Sequence, residues 1–438
     1  MVILGLGSNV GDRLANLRRA LEFIKQIPSV SVTRVSSTYL SSALLPANAP
    51  DEWNKSYLNV AIRCETTLTP DNLLAKLQAI EIAIGRTPAA DWAPRVIDID
   101  ILAWDDRILS DPQLHLPHHH LHERLFALLP LTEIAPFWIY PQQGPFKGQT
   151  AMEILRAAQT EGKEKKTTCE RISPRIDAPA LVGILNITPD SFSDGGYFTD
   201  LNPAIAHAHQ LVKEGAEILD LGAEASGPHA KPITPAEEWQ RLEPLLQHIM
   251  QERSKMIIPP KISIDTRHPD VAKKALAYKV DWINDVSGLE NPLMQDILVH
   301  QPQEIVVMHN LGIPTDVHKT LSLHSNPIDV IYQWAEEKLT ALTQAGISQE
   351  RIIFDVGIGF GKTAEQSLEL IKQIAIFHQL KTRLLVGHSR KSFLRLFTDK
   401  PAPQRDFETV LLSLQLAKQG IHFLRVHNIA LHAQAFRV

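Results

Sequence analysis

From residue 178 to the C-terminus the chain repeats one theme eight times: a short apolar run, then an amphipathic stretch, with turn residues between. The apolar runs are Leu181–Ile187, Glu217–Leu221, Lys261–Ile264, Trp282–Val286, Glu304–Met308, Arg351–Val356, Arg383–Val386 and His422–Val426. Stretches such as Ala204–Glu214, Ala236–Gln251, Val330–Ala345 and Ala364–Phe377 carry apolar residues at i, i+3, i+4 spacing and read as helices. Eight strand–helix units in about 260 residues predict an α/β (β/α)8 TIM-type barrel. A doubly wound open sheet is the runner-up, because strand order is not readable from sequence.

The N-terminal part follows a different order. A strand at Val2–Leu6, a helix from near Asp12, β-rich runs at Val30–Tyr39 and Tyr57–Glu65, a helix at Pro70–Ile84 and a strand at Val96–Ala103 give β-α-β-β-α-β. That order predicts an α+β ferredoxin-like sandwich domain. Between the two patterns, from Ala157 to Pro179, the chain is polar and without periodicity. The expected division is therefore a domain at 1–158, a linker at 159–177 and the barrel at 178–438.

Composition narrows the function classes. Apolar residues make up 44 % and charged residues 21 %, as in globular proteins, and a net charge of −5 gives no basic excess for nucleic acid. Two widely spaced cysteines, Cys64 and Cys169, exclude a disulfide framework and point to a reducing compartment. No apolar run approaches the ~20 residues of a membrane helix, and the N-terminus has no basic leader, so a cytoplasmic protein acting on small molecules is expected.

In the first domain the informative segment is Trp92-Ala-Pro-Arg-Val-Ile-Asp-Ile-Asp-Ile. On a strand, Asp98 and Asp100 share one face, roughly 6–7 Å apart, while Ile97, Ile99 and Ile101 share the other. Two such carboxylates suit a hard cation bridging to phosphates; a solvated acidic edge is the plainer alternative. Arg95, Arg86, His118 and Arg124 could supply cations and donors around a polyphosphate. The five histidines between His115 and His122 could instead hold a metal, but thiolates are absent and the run reads as a loop. No G-x-x-x-x-G-K-[ST] occurs, which excludes a P-loop kinase.

The segments Gly7-Ser-Asn, Tyr57-Leu-Asn, Pro94-Arg-x-x-Asp-x-Asp and Pro117-His…Arg124-x-Phe126 resemble the 6-hydroxymethyl-7,8-dihydropterin pyrophosphokinase family over residues 1 to about 150. The resemblance implies transfer of pyrophosphate from ATP to the pterin hydroxymethyl, releasing AMP. It implies two Mg²⁺ on Asp98 and Asp100, with Arg95 acting in catalysis. Gln78, Glu81, Arg86, Arg95, His118 and Arg124 would contact ATP. Ser41, Leu44 and Asn59 would border the pterin, stacked between Tyr57 and Phe126. The family's Thr-Pro-Pro-Leu-Gly loop is replaced by Ser41-Ser-Ala-Leu-Leu and an insertion, and the loop before Trp92 is shorter.

Barrel enzymes place their sites at the C-terminal strand ends. These carry Asn186, Glu224, Asp265, Asn284-Asp285, Met308-His309, Asp355, Ser389-Arg-Lys391 and Arg425-Val-His427. Asp265, Asp355 and Asn284 offer partners for a guanidine-like heterocycle, Lys391 for its carbonyl, and Arg425, His427 and Asn186 an anion site with a cation. Pro189-Asp-Ser-Phe-Ser-Asp-Gly-Gly and Gly357-Ile-Gly-Phe-Gly-Lys read as mobile Gly-rich loops, the second also passing for a weak phosphate cradle.

Gly183-Ile-Leu-Asn-Ile-Thr-Pro-Asp-Ser-Phe-Ser-Asp-Gly-Gly, Ser263-Ile-Asp-Thr, Gly387-x-Ser-Arg-Lys-Ser-Phe and Arg425-Val-His resemble the dihydropteroate synthase family over about 178 to 438. This implies condensation of dihydropterin pyrophosphate with p-aminobenzoate to dihydropteroate and pyrophosphate, with Lys391 and Arg425 acting in catalysis. Asp265, Asn284, Met308, Asp355, Lys391 and Arg425 would hold the pterin. Asn186, Ser226, Arg425 and His427 would bind pyrophosphate with one Mg²⁺ on Asn186, and Phe192, Pro228 and Ser392 would border the aminobenzoate. A homodimer through the barrel is the assembly the resemblance suggests. Gly227 stands where the family has an arginine, with Lys231 and His229 nearby; Val356 for proline and Asn428 for aspartate are milder departures. A pyrophosphokinase fused to an altered pterin barrel, such as a methyltransferase, and a non-catalytic pterin scaffold are the rival readings.

Overall fold

The structure, a computed structural model, describes residues 1–87, 92–160, 168–173, 175–187, 201–225, 227, 230–316 and 318–437. They form two compact units, Met1–Asp177 and Ala178–Val438.

The first unit is an antiparallel sheet with helices on both faces. Its strands are β1 (Val2–Ser8), β2 (Val30–Val35), β3 (Thr38–Ser41), β4 (Tyr57–Thr66) and β5 (Asp98–Trp104). A short hairpin follows, β6 (Leu109–Ser110) and β7 (His115–Leu116), and a late strand β8 (Cys169–Ile172) joins the main sheet. The main sheet runs β5-β1-β4-β3-β8, with β2 also on β4. Helix α1 (Arg13–Lys25) starts where Asp12 accepts from the Ala15 N–H at 3.0 Å. Helix α2 (Pro70–Ile84) is capped by Thr69, opened by Pro70 and closed by Gly85 at φ 115°. Helices α3 (Leu125–Ile134) and α4 (Ala151–Thr160) pack over Ile3, Ala61 and Leu102. The opposite face presents Val2, Leu4, Leu6, Ile99 and Ile101, all buried.

Two sequence expectations change here. Val30–Tyr39 is not one strand: it breaks at Ser36 and Ser37, where the Ser36 hydroxyl accepts from the Ala61 N–H at 2.9 Å and stands in for the ladder. The register on β4 slips by one residue across the break. The second change is in the 159–177 linker. Cys169–Ile172 is a strand paired with β3, Ile176 is buried, and Arg175 donates to the Val35 carbonyl at 2.9 Å. This strand pairs along a sheet edge with half-buried and exposed side chains, so it leaves no apolar periodicity to read.

The second unit is a closed barrel of eight parallel strands: β9 (Ala180–Asn186), β10 (Ile218–Gly222), β11 (Lys261–Asp265), β12 (Trp282–Asp285), β13 (Glu304–Met308), β14 (Ile352–Asp355), β15 (Arg383–Val386) and β16 (Phe423–Val426). Each strand coincides with one of the predicted apolar runs, and barrel closure excludes the open sheet. The interior is layered by the strand period of two. Ala180, Val182, Ile218, Trp282, Val306, Ile353, Leu385 and Phe423 form an apolar plug, with Trp282 and Phe423 edge to face at 4.8 Å. One step further along the same strands the inward positions become Asp220, Ser263, Asn284, Met308, Asp355 and Arg425. The outward positions, such as Ile264, Ile283, Phe354 and Leu424, pack under the surrounding helices.

Candidate active sites

In the first unit, Asp98 and Asp100 lie opposite Gly7 and Gly5 of β1, and the missing side chains leave the floor of a cavity of about 370 Å³ open above them. Arg95, Arg124 and Leu102 line the same cavity. Ser41, Leu44, Tyr57, Asn59 and Phe126 line it as well. Buried Asn59 donates to the Ser41 hydroxyl at 3.0 Å and the Tyr39 carbonyl at 3.3 Å, which fixes its amide in one orientation.

Charge is concentrated at the strand end. Asp98 accepts from Arg86 at 2.8 Å and Arg95 at 3.1 Å. Burial, reinforced by Asp98, pushes the Asp100 carboxyl well above its ordinary range. Burial beside Arg124 pushes His118 down to about 4, so it is a neutral imidazole at neutral pH. Glu81, expected at the nucleotide, is turned inward instead: it accepts from the Ile99 N–H at 2.7 Å and pairs with Arg86, holding that guanidinium against Asp98. Gln78 lies on the exposed face of α2 and does not line the cavity. Trp92 was missed; at φ 69° it lines the cavity and sits 5.9 Å from the Arg124 guanidinium, as Phe126 does. A tryptophan before Pro94-Arg95 in a polar loop was the available signal. Among the described residues, the histidines of 115–122 form no metal-spaced set.

In the barrel, Arg425 of β16 reaches across the mouth as a fork, donating through Nε to Asp220 at 2.6 Å and through Nη2 to Asp265 at 2.8 Å. Asp220 also accepts from Ser263 at 2.5 Å and Asn284 at 3.2 Å. It was not among the expected site residues, although a charge in the run Ile218-Leu-Asp-Leu-Gly could have marked it. Burial pushes Asp265 and Asp355 up, and Asp355 accepts from the Gly357 N–H at 2.8 Å. Burial lowers Lys391 to about 8 although Asp355 opposes the shift; its Nζ donates to the Ile358 carbonyl and lies 4.3 Å from the Phe360 ring centre. Met308 is buried and in register with Asp355.

The strand period separates the paired rim residues. Asn284 and Met308 face the barrel axis, whereas Asp285 turns to Ser287 at 2.6 Å and His309 meets Trp334 edge to face at 4.9 Å. His427 is fixed by Ser389, whose Oγ lies 2.9 Å from Nδ1, and burial lowers it to about 3. Exposed Asn186 ends β9, the strand beside β16. Glu224 is engaged by Arg267 through two hydrogen bonds of 2.7 and 2.8 Å. Exposed Ser392 follows Lys391. A side chain at Gly227 would meet nothing within 4 Å. Phe192, Ser226, Pro228 and the loop at Pro189 lie outside the described residues.

The loop Gly357–Lys362 differs from its expectation. A Cβ on Gly357, at φ 68°, would lie 1.9 Å from the His309 carbonyl oxygen, and one on Gly361 would lie 2.6 Å from Leu311. Buried Lys362 donates to the His309 and Phe360 carbonyls at 3.2 and 3.0 Å. The glycines serve close backbone packing, and the loop is pinned to β13 rather than free or open to a phosphate.

Comparison with known proteins matches both units. Residues 3–136 match the family described as 7,8-dihydro-6-hydroxymethylpterin-pyrophosphokinase, and residues 182–427 match the pterin binding enzymes. The "Folate synthesis bifunctional protein" of Chlamydia muridarum is 36 % identical, covering 98 % of this chain and 95 % of its own. The mitochondrial protein of that name from Arabidopsis thaliana is 32 % identical over 100 % of this chain and 82 % of its own. Among solved structures, dihydropteroate synthase of Anaplasma phagocytophilum with bound 6-hydroxymethylpterin-monophosphate superposes with TM-score 0.54 at 36 % identity, over 59 % of this chain and 97 % of its own. That of Xanthomonas albilineans with 4-aminobenzoic acid gives TM-score 0.54 at 32 % identity, over 59 % of this chain and 91 % of its own.

Proposed function

The chain belongs to the folate synthesis bifunctional proteins, transferases that join a hydroxymethyldihydropterin pyrophosphokinase to a dihydropteroate synthase, and on that premise we propose how its residues divide the two reactions. In the first unit, ATP binds with its phosphates against Arg86, Arg95, His118 and Arg124, and the pterin enters between Tyr57 and Phe126 with Asn59 and Ser41 reading its edge. Asp98 and Asp100 suit a hard dication, since two oxygen ligands share one face, and a cation would relieve both the burial and the Asp98 repulsion that raise the Asp100 carboxyl. Bound there, Mg²⁺ (two ions in this reading) would supply charge neutralisation on the triphosphate. The arginines hold the β-phosphorus in line with the pterin hydroxyl and offset charge as AMP leaves.

In the barrel, Asp265, Asn284, Asp355 and Lys391 take the pterin and Met308 packs on its face. Arg425, His427 and Asn186, the last of which would hold one Mg²⁺, receive the departing pyrophosphate. The buried carboxylates stabilise the cationic pterin that remains while p-aminobenzoate attacks beside Ser392. Two free thiols support a cytoplasmic setting, and Phe407 and Leu411, exposed on helix Asp406–Lys418, support pairing of two barrels.

One observation carries the division of labour: nine residues assigned from scattered motifs line a single cavity in the first unit. Purified protein given ATP, Mg²⁺, hydroxymethyl-dihydropterin and p-aminobenzoate is expected to release AMP, then dihydropteroate and pyrophosphate. Absence of AMP overturns the first assignment. Failure to convert added pyrophosphorylated pterin overturns the second.

A further inference from the structure

On the outside of the barrel, away from the strand ends, two neighbouring helices bring together His209, His248 and Glu252. His209 lies on the helix Asn202–Glu214, and His248 and Glu252 sit one turn apart on Pro235–Arg253. Their ligand atoms all lie within 4.8 Å of one another, and this is the one such set among the described residues. His209 Nε2 meets one Glu252 oxygen in a short contact, and His248 Nε2 lies 3.3 Å from the other. His248 Nε2 is shielded from solvent, and the Glu252 oxygen at 3.3 Å engages it only at poor hydrogen-bond geometry.

We propose that His209, His248 and Glu252 form a binding site for a divalent transition-metal ion on the outer surface of the barrel. The donor set is two imidazoles and one carboxylate, which suits Zn²⁺, Ni²⁺ or Cu²⁺ and disfavours the Mg²⁺ of the two reactions. Zn–N distances of about 2.0–2.1 Å require ligand atoms roughly 3.3–3.5 Å apart; His248 and Glu252 already stand at 3.3 Å, the short His209–Glu252 contact would open, and the widest separation, at most 4.8 Å, would close. Water completes the coordination, because the three side chains remain between one third and one half exposed. The ion ties together the helices that follow the first two barrel strands.

The test uses the full chain, stripped with chelator and titrated with Zn²⁺ against a chromogenic competitor, and separately with Co²⁺. Wild type should take up one equivalent, and bound Co²⁺ should show visible ligand-field bands of a nitrogen–oxygen site. His209→Ala, His248→Ala and Glu252→Gln should each weaken that equivalent at least about 10-fold. Conversion of added pyrophosphorylated pterin should stay unchanged, which also shows that the variants fold. Unchanged stoichiometry and affinity in the variants, or no Co²⁺ bands in wild type, overturns the site.

Discussion

Asp220 shows how much of the barrel site depends on a residue that touches no expected ligand group. Its carboxylate holds Ser263, Asn284 and Arg425 at once, so the fork that aims Arg425 also fixes the amide of Asn284. Asp220→Asn keeps the shape and removes the charge-assisted bond, a loss of about 1.5–3 kcal/mol. Dihydropteroate formation from pyrophosphorylated pterin is expected to fall about 10- to 100-fold in kcat/KM, with AMP release unaffected. Gly227 offers the opposite experiment. A Cβ there would meet nothing within 4 Å, and Gly227→Arg is expected to raise kcat/KM for the barrel reaction about 10-fold. Lys391 gives the site a pH limit: its ammonium is lost as pH rises through about 8, not through 10.5. The KM for the pyrophosphorylated pterin should therefore climb above pH 8, as initial rates across pH 7 to 9 would show. Cavity and rim residues such as Asp98, Asn284 and Lys391 were legible because strand ends and motif spacing mark them. Asp220 and Trp92 were not, because each acts through another side chain or from a loop.

The strands were legible for a physical reason. Barrel strands are buried on both faces, so each appears as a mostly apolar run, and helical stretches separate the eight of them. Elements that work through backbone geometry were harder to read. Glycine at 357, 359 and 361 reads equally as mobility, phosphate binding or close packing, and only the approach of His309 and Leu311 decides for packing. Gly357→Ala combines a left-handed φ with a backbone clash and should cost at least about 2 kcal/mol, seen as a lower thermal midpoint of the barrel and impaired turnover. The break at Ser36–Ser37 and the late strand Cys169–Ile172 escaped for a related reason: a hydroxyl replacing a ladder bond, and an edge strand with polar faces, leave no periodic signature.

At the scale of the whole molecule, two units with separate cores carry two sites, each built on its own sheet. The barrel carries an acid sensitivity of its own. Burial lowers His388 to about 4, where it bonds Ser413 at 3.0 Å beneath the rim. The neutral form is the folded form, so this stability is complete above the unfolded value near 6.5 and is lost as pH falls toward 4, about 3 kcal/mol in all. Chemical denaturation of the barrel transition should weaken over that window, and His388→Gln should flatten the dependence. The separability of the two chemistries is the central claim, and Asp98→Ala tests it most directly. With ATP and hydroxymethyl-dihydropterin as substrates, AMP release should be abolished; with added pyrophosphorylated pterin and p-aminobenzoate, the same protein should make dihydropteroate at the wild-type rate. Loss of both reactions in this variant would contradict the account.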